Sequence, residues 1–180
     1  MTAPGTASTL RGLLILGLMV LSLDQATKTI ASSSLHLGVP EPVVAHLNWT
    51  LVHNRGMAFG ILADDTNSHK FLLVSLLSLV AVGAVIYFVL TSPVSEVWSR
   101  RGFALILGGA LGNILDRARL GYVVDFVDVY YGTSHWPAFN VADSAIVIGV
   151  GLLIVENLLK QATRQDGEDA TGSDAQESNT

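Results

Sequence analysis

Apolar positions along the chain gather into four long blocks. Arg11 to Ile30 is about twenty residues, roughly 30 Å as a helix and enough to cross a bilayer. Phe71 to Leu90 is uncharged throughout and is the clearest span. Phe103 to Leu120 is Gly- and Ala-rich in its first half but carries Asn113, Asp116, Arg117 and Arg119 in its second. Val141 to Leu159 is the fourth. Within the first block, the apolar run Gly12 to Leu23 also reads as a signal-peptide core, with Ala31 to Ser34 as a cleavage zone. Against that, Asp24-Gln25-Ala26-Thr27-Lys28 continues the helical register and sets Asp24 and Lys28 four apart on one face, so a retained span is predicted.

The polar stretches supply the rest. Pro40 and Pro42 break any helix, Val43 to Val52 has strand composition, and Asn54-Arg55-Gly56-Met57-Ala58-Phe59-Gly60 is a glycine-punctuated turn. The pattern predicts an all-α membrane protein. It has four transmembrane helices, at about 11–30, 71–90, 103–120 and 141–159, and a small extracytoplasmic β-cradle at about 43–60. Residues 10–160 form one domain, preceded by a polar segment 1–9 and followed by a disordered acidic tail, 161–180.

Composition agrees. The chain of 180 residues is 50% hydrophobic and 14% charged, with a mean hydropathy of +0.49, too apolar for an ordinary soluble domain. Its net charge of -5 comes from the tail, where Asp166, Glu168, Asp169, Asp174 and Glu177 cluster. The remainder is balanced, so no nucleic-acid partner is expected. Cysteine is absent, which excludes a thiol nucleophile, a disulfide framework and a thiolate metal site. His36, His46, His53, His69 and His135 lack any metal-ligand spacing, so neither metal nor other cofactor is expected. Four spans put both termini on one side. Arg11, Arg100, Arg101, Lys160 and Arg164 flank that side, whereas the opposite loops hold Arg55 and Lys70 once the helix-end charges Lys28, Arg117 and Arg119 are set aside. The positive-inside rule then makes both termini cytoplasmic. Trp49, Trp98, Trp136, Tyr122, Tyr130 and Tyr131 fall near span boundaries, as in an interfacial belt.

The remaining signal is polar. Asp24, Lys28, Asn113, Asp116, Arg117, Asp125, Asn140 and Asp143 all lie toward one end of the bundle. Ionisable groups at membrane depth are costly and mark function by default. Plainer readings exist: Asp24 with Lys28 as an interfacial ion pair, Asn140 with Asp143 as a capping box, and Asp116 as a structural charge partner of Arg117. G-x-x-x-G at Gly108 and Gly112 is a packing signal, and Gly109 and Ala142 are likewise expected to be structural. Capping, however, needs no second carboxylate. Asp125 and Asp143, if brought together, would share one proton, because like charges about 3 Å apart cannot both ionise. With nearby Asn and Arg donors they would supply a base, an acid and an oxyanion site for attack of water on a carbonyl. Asp143, at a helix N-terminus, is the expected ionised member. A proton-relay protein and a non-catalytic scaffold are the rival readings; polar groups at one end only argue against the relay.

These motifs resemble, in order, those of the lipoprotein signal peptidases (signal peptidase II), bacterial membrane aspartic proteases. The likeness is carried by Asp24-Gln25-Ala26-Thr27-Lys28, by Asn54 to Gly60, by Gly112-Asn113-Ile114-Leu115-Asp116-Arg117 with Val124-Asp125-Phe126, and by Phe139-Asn140-Val141-Ala142-Asp143. It covers about residues 10–160. It implies a bacterial cytoplasmic-membrane enzyme with four spans and its site toward the outer face. Such an enzyme removes the signal peptide of a diacylglyceryl-modified prolipoprotein just before the lipidated cysteine. It also implies Asp125 and Asp143 as the catalytic dyad, with Asp24, Lys28, Asn54, Gly56, Asn113, Arg117 and Asn140 shaping the site or binding substrate. The expected partners are that substrate and the bilayer, with the enzyme a monomer.

Overall fold

The computed structural model describes residues 4–55, 80, 82–91, 93 and 96–177. Helix α1 runs Pro4–Ser34, a proline at its first position where no backbone donor is needed. Strands β1 (Glu41–Val44) and β2 (Leu47–Asn54) follow as a hairpin. After them come α2 (Val82–Thr91) and α3 (Val97–Leu120). Then follow β3 (Val123–Tyr131), β4 (Ser134–His135) and α4 (Val141–Glu177). Most of the fold is helical, with one antiparallel sheet in the order β1-β2-β3-β4.

The sheet is larger than the pattern indicated. The expected β-element ended at about residue 60, yet Asp125, beyond the third expected span, lies inside β3, the longest strand. Gly121, with φ 80°, closes α3 by returning its N–H to the Arg117 carbonyl, and the chain enters β3 two residues later. Residues 56–60 of the expected β-element, Gly56 among them, fall outside the described residues, as do 71–79 of the second expected span.

Helix ends also differ from expectation. Helix α3 starts six residues before Phe103, taking in Arg100 and Arg101, both good helix formers. Its first turn is held from the neighbouring helix: the buried Glu156 carboxylate of α4 accepts the Ser99 N–H, and Lys160 pairs with Glu96 at 2.7 Å. Helix α4 continues past 159 into the acidic segment expected to be disordered, and no proline after Val141 interrupts it.

Helix α3 is the centre of the bundle and packs against both α1 and α4. The α3–α4 contact is backbone-close: a Cβ on Gly109 would collide with the Ala142 carbonyl, the close approach that small residues permit. Among the described residues, two helical segments are long and apolar enough to cross a membrane, Leu10–Ser34 and Val141–Gln161. Both turn large side chains outward, with Met19 and Val147 63% and 71% exposed. Apolar surface on that scale needs a non-aqueous neighbour.

Candidate active site

Three elements converge at the end of the bundle where the sheet sits: the last turns of α1 and α3 and the first turn of α4, with β3 laid across them. Asn140 is the pivot. Its Oδ1 accepts the Asp143 N–H at 3.0 Å, and Asp143 Oδ2 accepts the Asn140 N–H at 3.2 Å, a reciprocal capping box that starts α4. The capping reading therefore holds, yet it leaves the Asn140 amide nitrogen turned inward. That nitrogen donates to Asp125 Oδ1 at 2.7 Å and lies 3.2 Å from both Asn113 Oδ1 and the Val124 carbonyl. One residue thus touches both aspartates predicted to pair.

A buried cation organises the other side. Lys28 reaches Asp24 Oδ2, Asp116 Oδ2 and Asn113 Oδ1, each at 2.9 Å, so all three ammonium donors are used. Lys28 only donates, so Asn113 must turn its oxygen to Lys28 and its Nδ2 to Asp143 Oδ1, 2.8 Å away. Asp24 has a second duty: its Oδ1 accepts the Ala142 N–H at 3.0 Å, tying α1 to the start of α4. Gly112 makes room for it, since a Cβ there would strike the Asp24 carboxylate.

Asp116 feels the charge of Arg117, the partner the sequence suggested, but its direct bonds go elsewhere. Neighbours in a helix point apart, and Asp116 instead pairs with Lys28, accepts the Val124 N–H at 3.1 Å and binds Gln25 Nε2 at 3.0 Å. Arg117 lies within electrostatic reach of Asp143, Asp125 and Asp116. Gln25 was missed as a member of the site: its amide also meets Asp24 Oδ2 and the Gly112 carbonyl. Its place inside the Asp24–Lys28 motif was the available signal.

Asp125 is 1% exposed and receives a second bond, from Asn54 Nδ2 of β2 at 2.9 Å. Burial pushes its carboxyl up to about 7, with the charge of Asp143 adding to the rise. Hydrogen bonds from Asn54 and Asn140 and the charge of Lys28 pull the other way. The arrangement has the parts of an acid–base pair: one buried carboxyl that holds a proton near neutrality, and a second in the first turn of α4, where a helix N-terminus favours negative charge.

A family model described as Signal peptidase (SPase) II matches residues 16–159. The chain is 47% identical over 160 residues to the lipoprotein signal peptidase of Acinetobacter baumannii strain ATCC 17978, covering 88% of this chain and 90% of that one. It is 42% identical over 144 residues to that of Francisella tularensis subsp. novicida strain U112, covering 80% and 89%. A bacterial membrane enzyme solved at 2.3 Å by the in meso method superposes with a TM-score of 0.72 at 32% identity, covering 85% of this chain and 90% of that one.

Proposed function

The chain belongs to the signal peptidase II family and is therefore a peptidase, and from that premise we propose that it removes signal peptides from diacylglyceryl-modified prolipoproteins with Asp125 and Asp143 as its catalytic pair. The observation that carries the proposal is the Asn140 bridge between the two carboxylates, set beside a raised pKa for Asp125. Asp143, held by donors from Asn113 and the Asn140 backbone, is the ionised base. Asp125 is the acid.

In the proposed reaction a water between the pair gives a proton to Asp143 as its oxygen attacks the scissile carbonyl carbon. Asp125 donates its proton to the carbonyl oxygen, giving a neutral gem-diol, one protonated Asp143 and one ionised Asp125. Collapse returns a gem-diol proton to Asp125 while Asp143 protonates the departing nitrogen, breaking the C–N bond and restoring the starting state. Two groups with pKa values pushed apart is the usual form of such a division of labour. Arg117, Asn54, Asn113 and Asn140 shape the polar wall, with Gly56 assigned by its motif alone. No metal or other cofactor is assigned a role.

The setting suits a substrate anchored by acyl chains: bilayer-held, it meets the enzyme at the surface where the sheet lies. We place the enzyme as a monomer in the bacterial cytoplasmic membrane, with four spans, both termini cytoplasmic and the site outward. The direct test is cleavage of a diacylglyceryl-modified prolipoprotein by purified protein in detergent. Wild type is expected to cut before the lipidated cysteine, and folded Asp125→Asn and Asp143→Asn to lose essentially all turnover. Near-normal activity in either variant rules out the paired mechanism.

A further inference from the structure

We propose that Asp128, outside the dyad and its polar wall, is a positioning residue that sets the register of β2 and so holds Asn54 against Asp125; this rests on the dyad reading. Asp128 lies three residues along β3 from Asp125, and its buried carboxylate gathers partners from two neighbouring strands. Oδ2 accepts from Asn48 Nδ2 at 3.0 Å and from Thr50 Oγ1 at 3.3 Å, both on β2. Oδ1 meets His135 Nδ1 of β4 at 2.7 Å, and His135 stacks on Tyr130. A buried carboxylate with three partners is costly to disturb, because each orphaned group then carries its own desolvation penalty.

The register shows what the clamp does. Asn48 pairs with Asp128 and Trp49 with Val127, but Val52 pairs with Asp125 and Asn54 with Val123. Two residues of β2, Thr50 and Leu51, therefore oppose the single residue Phe126. In a regular ladder side chains alternate, so Asp125 and Asp128 would face opposite sides while Asn48 and Asn54 shared one. Asn48→Asp128 and Asn54→Asp125 could not then both form. Continued without the extra residue, the Asn48 register would set Asn54 opposite Tyr122. The irregularity reconciles the two contacts, and Asp128 grips β2 on its near side through both Asn48 and Thr50.

The experiment compares kcat/KM against pH for wild type, Asn54→Ala, Asp128→Leu, Asp128→Asn and the Asn54→Ala/Asp128→Leu double variant, on a diacylglyceryl-modified prolipoprotein. Losing the Asn54 donor raises the Asp125 pKa, since that bond favours the ionised form. Asn54→Ala and Asp128→Leu are both expected to move the alkaline limb upward and to lower kcat/KM by roughly 10- to 100-fold, the scale of one charged hydrogen bond. The double variant should be no worse than Asn54→Ala, and Asp128→Asn, which still accepts from β2, should recover most of the rate. An unmoved limb in Asp128→Leu, or losses that multiply in the double variant, overturns the inference. If Asp128→Leu does not fold, Thr50→Val takes its place in the comparison, and the same two results decide it. Activity in Asp125→Asn strikes the dyad reading itself and takes the inference down with it.

Discussion

Asp125 and Lys28 show two ways of keeping a charge-bearing group out of water. Lys28 is 3% exposed and sits among two carboxylates and an amide. Replacing it by methionine strands Asp24 and Asp116 as buried charges, so Lys28→Met is expected to cost about 3–5 kcal/mol. Thermal unfolding followed by the emission of the three tryptophans would register this as a lowered Tm. Asp125 makes no ion pair as close as those of Lys28, and burial pushes it up to about 7 instead. As the proposed acid it works protonated, and its protonated fraction falls as pH rises through that value. The kcat/KM profile of wild type should therefore decline on the alkaline side with an apparent midpoint near 7, belonging strictly to the coupled pair. A profile that stays flat well above that midpoint contradicts the assignment.

Among the elements, α4 carries the greatest burden, because its first turn holds Asn140, Ala142 and Asp143 and its position depends on α3. Gly109 lets the two backbones meet, and the Cβ of alanine there would have to displace the Ala142 carbonyl itself. Gly109→Ala is accordingly expected to destabilise by about 1–3 kcal/mol through overpacking and to lower kcat through displacement of Asp143. A Tm within a degree of wild type, at unchanged kcat, would count against that coupling. Asn140 illustrates why capping and catalysis need not compete: the oxygen of its amide caps while the nitrogen binds Asp125. The sequence offered these as alternatives because periodicity places side chains but not the two ends of one amide.

For the whole molecule, the question is which way it faces. The polar site, the sheet and the exposed Tyr131 and Trp136 lie at one end, and the buried Glu156, Ser99 and Arg100 at the other. The cysteine-free chain allows single cysteines to be introduced on a clean background. In intact cells, an impermeant thiol reagent is expected to label Tyr131→Cys from outside and Ser178→Cys only after lysis. The reverse pattern would invert the proposed topology.

Much was legible from sequence because the relevant physics is local. Long apolar runs, the four-residue spacing of Asp24 and Lys28, and the Asn140–Asp143 box each follow from helical periodicity, and they named most of the residues that the fold gathers. What the sequence could not state was partnership. Lys28 forms the close ion pair with Asp116, because residues far apart in the chain meet across α1 and α3. Gln25 joins the site through carbonyl and carboxylate partners on another helix. The stretch after Gly121 becomes a strand only because β2, some seventy residues earlier, offers an edge to pair with, and strand formation answers to such non-local pairing. The apolar blocks and the chemistry of individual side chains were determined by the sequence alone. Which carboxylate faces which amide, and hence which one keeps its proton, was decided by the packing of α1, α3, α4 and the sheet, because pairing and desolvation are properties of neighbours.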